Sequence, residues 1–145
     1  MSDLTFEECE SGNQLPPTQE GAKLLLQALV EGLLEKDLNL VCPYVHKSLR
    51  RSMNGKEDLD RSVKDYQYRY ACQGVGNVKN PICVTRIVPN TGTSGIGFQD
   101  RAENGRIEKY FLECTSSSKK MPVPVQVFFP SNGGSPKICH FGSIM

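Results

Sequence analysis

The spacing of apolar residues changes partway along this chain, and that change limits its architecture more than any other feature. From Gln19 to Lys36, apolar residues fall at Ala22, Leu25, Leu26, Leu29, Val30, Leu33 and Leu34. This wide stripe of period 3.6 predicts a helix with one face on a core. Thr18 is placed to cap it, and Glu20 puts a negative charge in its first turn. From about residue 71 the texture becomes β-like, with short β-branched runs separated by glycines. Strands are expected at 71–78, 82–88, 96–101, 106–114, 123–129 and 137–141. Within 123–129, Val123, Val125, Val127 and Phe129 alternate, which marks one face of a strand.

Between these regimes, Asp37 can cap a short helix that Pro43 ends. A short strand is expected over 48–53, followed by the turn pair Asn54-Gly55. Asp58 then caps a third helix reaching Tyr70, with Leu59, Val63, Tyr66 and Tyr70 along its apolar edge. Asn104-Gly105 and Asn132-Gly133-Gly134-Ser135 read as turns between strands. Residues 1–17 are acidic, end in Pro16-Pro17 and read as a mobile tail. The expectation is one α+β domain over 18–145: three N-terminal helices packed on a curved, mainly antiparallel sheet.

Composition excludes several classes. The 145 residues are 38% apolar and 23% charged, as in globular chains. The net charge of +1 gives no footprint for nucleic acid. No run approaches a membrane span, and the acidic start lacks the pattern of a secretory leader. The six cysteines are spread along the chain and several lie in apolar runs. With no Asn-x-Ser/Thr site, they are expected to be reduced thiols in the cytoplasm. The alternative is a secreted, disulfide-stabilised effector or defence domain whose leader has been removed.

The pattern of Ala28–Val45, then Ser48-Leu49-Arg50-Arg51-Ser52-Met53-Asn54-Gly55, then Asp58–Tyr66 resembles the front half of the nuclear-transport-factor-2-like superfamily. The element order of residues 18–142 fits the same family. The resemblance implies a cone-shaped α+β barrel with a pocket at its wide end. It also implies either a dimeric adaptor or a small enzyme, since this fold carries many functions.

Candidate site residues follow from chemistry. His46 and His140 are the only histidines. Either one, with Asp60 or Asp65, would make an Asp–His base for isomerisation, dehydration or hydrolysis. Tyr44 and Tyr66 could donate to a ligand oxygen, and Arg69 and Arg86 could hold an acidic ligand. Cys42, His46, Cys139 and His140 make a poor metal set, because neighbours on a strand point to opposite faces. The loop 92–97 lacks the lysine and helix of a phosphate loop. Lys47, Arg50, Arg51 and Lys56 read as a solvated basic face. No nucleophile elbow or zinc-protease motif occurs, and no cofactor is implied. The expected function is therefore a non-catalytic module for a protein partner or a small apolar ligand. Dimerisation is expected through an exposed sheet face carrying Val125 and Val127.

Overall fold

The structure is a computed structural model that describes residues 2–12, 14–89, 94–96 and 101–144. The first element is α1 (Phe6–Ser11), followed by α2 (Gln19–Glu35) and α3 (Leu38–Val41). A hairpin follows, of β1 (Arg50–Met53) and β2 (Lys56–Leu59). The next helical stretch begins as a π-helix at Val63–Tyr68 and continues as α4 (Arg69–Gly74). The remaining strands are β3 (Val84–Pro89), β4 (Ser94–Ile96), β5 (Glu103–Leu112), β6 (Val123–Pro130) and β7 (Lys137–His140). They form one antiparallel sheet in the order β3-β5-β6-β7, with β4 also on β5. The fold is α+β with antiparallel sheets, and no closed barrel is present among the described residues.

The apolar stripe of α2 is buried as its spacing predicts, except at Leu34, which is 44% exposed. Thr18 accepts a hydrogen bond from the Gly21 amide, and Leu25, Leu26, Leu29 and Leu33 are fully buried. These leucines share one core with Tyr110 and Leu112 of β5, Val125 and Val127 of β6 and Ile138 of β7. Each such side chain stabilises the fold by roughly 1.5–3 kcal/mol. Asn54 and Gly55 turn the β1–β2 hairpin with φ of 52° and 78°, the left-handed pair that tight hairpins need.

Several expectations are corrected. The segment expected to be a mobile tail holds a helix, Phe6–Ser11. Thr5 and Glu8 form a reciprocal cap on α1, and Cys9 in that helix is fully buried. Asp58 does not cap the third helix, because residues 56–59 pair with β1. Asp60 caps it instead, its carboxylate accepting from the Ser62 amide and hydroxyl. The apolar edge drawn through Tyr66 and Tyr70 fails, with Tyr66 62% exposed. A π-turn adds a residue per turn, which rotates the inner edge onto Val63, Ala71 and Val75.

Residues 71–77 are helical, not a strand, with α4 running into a 3-10 turn at Val75–Asn77, and only Val78 is extended, bridging Cys114. The expected strand 96–101 and the loop 92–97 lie largely outside the described residues. Asn104-Gly105 is no turn but part of β5, where Gly105 pairs with Pro130 and Ser94. A Cβ on Gly105 would sit 2.3 Å from the Phe129 carbonyl oxygen and 2.5 Å from Cζ of Phe128. Glycine is required there by close packing.

The sheet's two faces are also the reverse of the expectation. Val125 and Val127 point inward and are fully buried. The outer face carries the alternate residues: Arg86 opposite Phe111, Val88 opposite Lys109, and Lys109 opposite Gln126. The β7 edge is partly covered by the chain after α3. Val45 bridges Ile138 in parallel, and the His46 amide donates to the Ile138 carbonyl at 2.7 Å. Such cover removes an open edge that would otherwise template aggregation.

Candidate functional site

The bridge to β7 delivers His46 to the rim of a polar cleft of about 260 Å³, which Glu10, Glu103 and Lys137 also line. The Ser48 amide donates to His46 Nδ1 at 3.1 Å, and the Ser48 hydroxyl lies 2.8 Å from the same nitrogen. An amide can only donate, so Nδ1 carries no proton. The proton is then on Nε2, which donates to Glu103 Oε1 at 2.9 Å. The Phe128 ring closes edge-on against the imidazole, with centroids 4.9 Å apart. Burial holds the His46 pKa below the usual histidine range, against the opposing pull of Glu103.

The connectivity Ser48–His46–Glu103 has the composition of a hydrolase relay. Its serine and histidine are closed off from solvent. Only 5% of Ser48 is exposed and only 1% of His46, so the hydroxyl has no approach for a substrate. The Ser48 hydroxyl also shares Nδ1 with the Ser48 amide, which already donates to that nitrogen.

Behind the cleft lies a network of buried charges. Arg50 and Glu57 are both fully buried, and Arg50 Nη1 is 3.2 Å from Glu57 Oε1. This is an ion pair out of line for a hydrogen bond, and Arg50 Nε and Nη1 have no hydrogen-bond partner. Arg101 grips Glu57 with two hydrogen bonds of 3.1 and 3.2 Å and donates to the Arg50 carbonyl at 2.7 Å. Glu10 of α1 pairs with Arg50, and the Phe6 ring lies under both guanidiniums, at 5.7 and 4.9 Å. Lys137 Nζ donates to the carbonyls of Pro43 at 2.6 Å and Cys9 at 3.3 Å, and burial lowers its pKa. The expected solvated basic face is thus wrong for Arg50, whose charge is internal. Bound to α1, β1 and β2, the network fixes the wall of the cleft.

The other predicted residues are dispersed. Asp65 is exposed and pairs with Arg61 on its own helix at 3.7 Å. Asp60 pairs with Arg51 at 3.2 Å. Neither meets a histidine. His140 lies on β7 opposite Gln126, its pKa lowered by burial and by the charge of Lys109. Tyr66 and Arg69 are exposed on the helical stretch 63–74, while Tyr44 packs half-buried against the core. The partner of His46, Glu103, was not foreseen. It lies 57 residues away, and no local pattern links the two.

Arg86 is the one predicted ligand residue on the outer sheet face. Its guanidinium stacks on Phe111, 4.3 Å from the ring centroid. Around it, Thr85, Phe111, Met121 and Pro122 line a shallow recess. A second recess is lined by Val88, Pro89, Ile107, Lys109 and Gln126. Met121 is 82% exposed. Among the described residues no helix is long and apolar enough to cross a membrane, and no group of three histidines, cysteines or carboxylates is placed to hold a metal. All six cysteines are free thiols. Comparison with family models, curated proteins and solved structures finds no match.

Proposed function

We propose that this chain is a non-catalytic binding module of the nuclear-transport-factor-2-like kind, working in the cytoplasm and engaging a partner protein through the outer face of its sheet. The observation that carries the reading is the asymmetry of that sheet. One face is closed by the leucines of α2, while the other leaves Val88, Phe111 and Met121 in reach of solvent. Apolar surface of that kind, gathered on one face, is characteristic of interaction sites. The burial of His46 and Ser48 supports a non-catalytic role.

The family assignment draws support from the element order, the Asn54-Gly55 hairpin and the parallel bridge from Val45 to Ile138. Register shifts at Val84/Arg86 and at Gln126/Val127 are the kind of irregularity that bends a sheet, as a cone requires. Leucine side chains occupy the inner side, which favours a protein partner over a small apolar ligand. A homodimer is the weaker form of the proposal. A two-fold contact would set Arg86 and Lys109 of one copy against the same face of another, and like charges across an interface are costly.

The test is position-dependent photo-crosslinking. A photoreactive residue at Ile107 should give a discrete adduct in extract of the source cells. One at Leu24, exposed on α2, should not, and Val88→Glu should abolish the Ile107 adduct. Equal adducts at both positions, or indifference to Val88→Glu, would remove the outer face as the binding surface.

A further inference from the structure

From the charge and spacing of the outer face we infer that its partner is an extended acidic segment with two apolar anchors flanking a carboxylate. This rests on the reading of that face as the binding surface and adds the chemistry of what binds.

Arg86 and Lys109 both reach solvent on the outer face. Among the described residues, Arg86 has a ring beneath it but no carboxylate within ion-pair distance, and Lys109 has no ion pair or hydrogen bond. Elsewhere, several basic residues are matched. Lys79 meets Glu113, Lys64 meets Asp58, and Arg101 and Arg50 meet Glu57. Of the acidic residues of β5, only Glu108 turns away from this face, while Glu103 alternates onto the same side as Lys109 further along the strand. Glu108 is buried under the Tyr110 hydroxyl, and Glu103 is held by His46. With Glu103 taken up by His46, the stretch of outer face around Arg86 and Lys109 is cationic in a chain whose net charge is only +1.

The apolar features have a spacing. One recess, of about 250 Å³, is centred on Val88 and Ile107. The other, of about 370 Å³, is centred on Phe111 and Met121. Ile107, Lys109 and Phe111 are alternate residues of β5 and share its outer side, so Ile107 and Phe111 stand about 13 Å apart with the ammonium between them. An extended chain laid along them places apolar side chains about four positions apart, with the intervening outward residue over Lys109. A carboxylate there neutralises Lys109, and a second acid next to the Phe111 anchor reaches Arg86 in the bidentate manner that guanidinium favours.

The experiment uses a short fluorescent peptide with leucine and phenylalanine about four positions apart and aspartates between and beside them. A second peptide has lysines for the aspartates. Fluorescence anisotropy with the full chain should show the acidic peptide binding at least about tenfold more tightly than the basic one. Affinity should fall with added salt. Lys109→Glu, at an exposed position that leaves the core untouched, should weaken the acidic peptide by a similar factor and strengthen the basic one. Equal binding of the two peptides, indifference to Lys109→Glu, or no binding of the acidic peptide overturns the inference. If the Ile107 crosslink still depends on Val88 while the acidic peptide fails, the charge assignment falls and the binding face stands. Sedimentation that shows a dimer dispersed by Ile107→Glu would give the face to a second copy and overturn the inference as well.

Discussion

Glu57→Gln should be among the most damaging single changes in this protein, although it removes no atom from the core. Glu57 is fully buried and faces two guanidiniums: Arg50 at 3.2 Å, and Arg101 through two contacts of 3.1 and 3.2 Å. Arg50 has no exposure and lacks hydrogen bonds at Nε and Nη1. Its charge is therefore balanced by proximity to Glu57 and by the pair with Glu10. A neutral amide keeps the shape and withdraws the charge, which leaves two cations beside one partly exposed acid. Breaking a buried pair in this way costs about 3–5 kcal/mol, a large part of a typical stability of roughly 5–15 kcal/mol. With a urea slope of about 2 kcal/mol per molar, the unfolding midpoint should fall by about 1.5–2.5 M. Arg50→Met combined with Glu57→Gln should be less destabilising than the sum of the two single changes, because the uncompensated charge is then gone. A Glu57→Gln shift below about 0.3 M, the size of a surface ion-pair effect, would refute the reasoning. So would simple additivity in the double variant.

Gly105→Ala should cost about 1–3 kcal/mol by overpacking, because the new carbon meets the backbone oxygen of Phe129, which no rotamer change can move aside. Gly105→Asn should be worse still, whereas a glycine in a hairpin turn would tolerate asparagine; chemical denaturation separates the two. His46 should make stability depend on pH. Its folded pKa is depressed by burial, so the unfolded chain takes up a proton first as pH falls below about 6.5. The stability present above that pH should decline as the pH falls further, and His46→Gln should remove part of the decline. His140→Gln is the needed comparison, since burial depresses that histidine as well.

Local regularities in the sequence carried much of the fold. The leucine stripe of α2, the Asn54-Gly55 turn and the β-branched runs of β3, β5, β6 and β7 are short-range signals, and they lie where the spacing puts them. The failures have separate physical causes. A capping box at Thr5 and Glu8 was visible and marks α1, but a helix so short is stable only through its contacts with β1 and the cleft. The π-turn at Val63–Tyr68 rotated Tyr66 and Tyr70 outward, and strict helical periodicity has no means of expressing such a turn. Residues 71–78 contain β-branched side chains, yet tertiary packing of Ala71 and Val75 prevailed over propensity. The direction of β6 was the costly error. Alternation identifies two faces but does not say which one meets the core, and the choice for Val125 and Val127 depends on where α2 lies. The site residues were hardest. His46 with Glu103 and Arg50 with Glu57 and Arg101 are pairings made by topology.

The account depends most on which side of the sheet is open. Methyl spectra of the native protein, recorded with and without a soluble paramagnetic agent, report this directly. The methyl signals of Val88 and Ile107 should broaden strongly, while those of Val125 and Val127 persist with Leu29. Broadening of Val125 and Val127 with protection of Val88 and Ile107 would contradict the account and reassign the sheet's binding face.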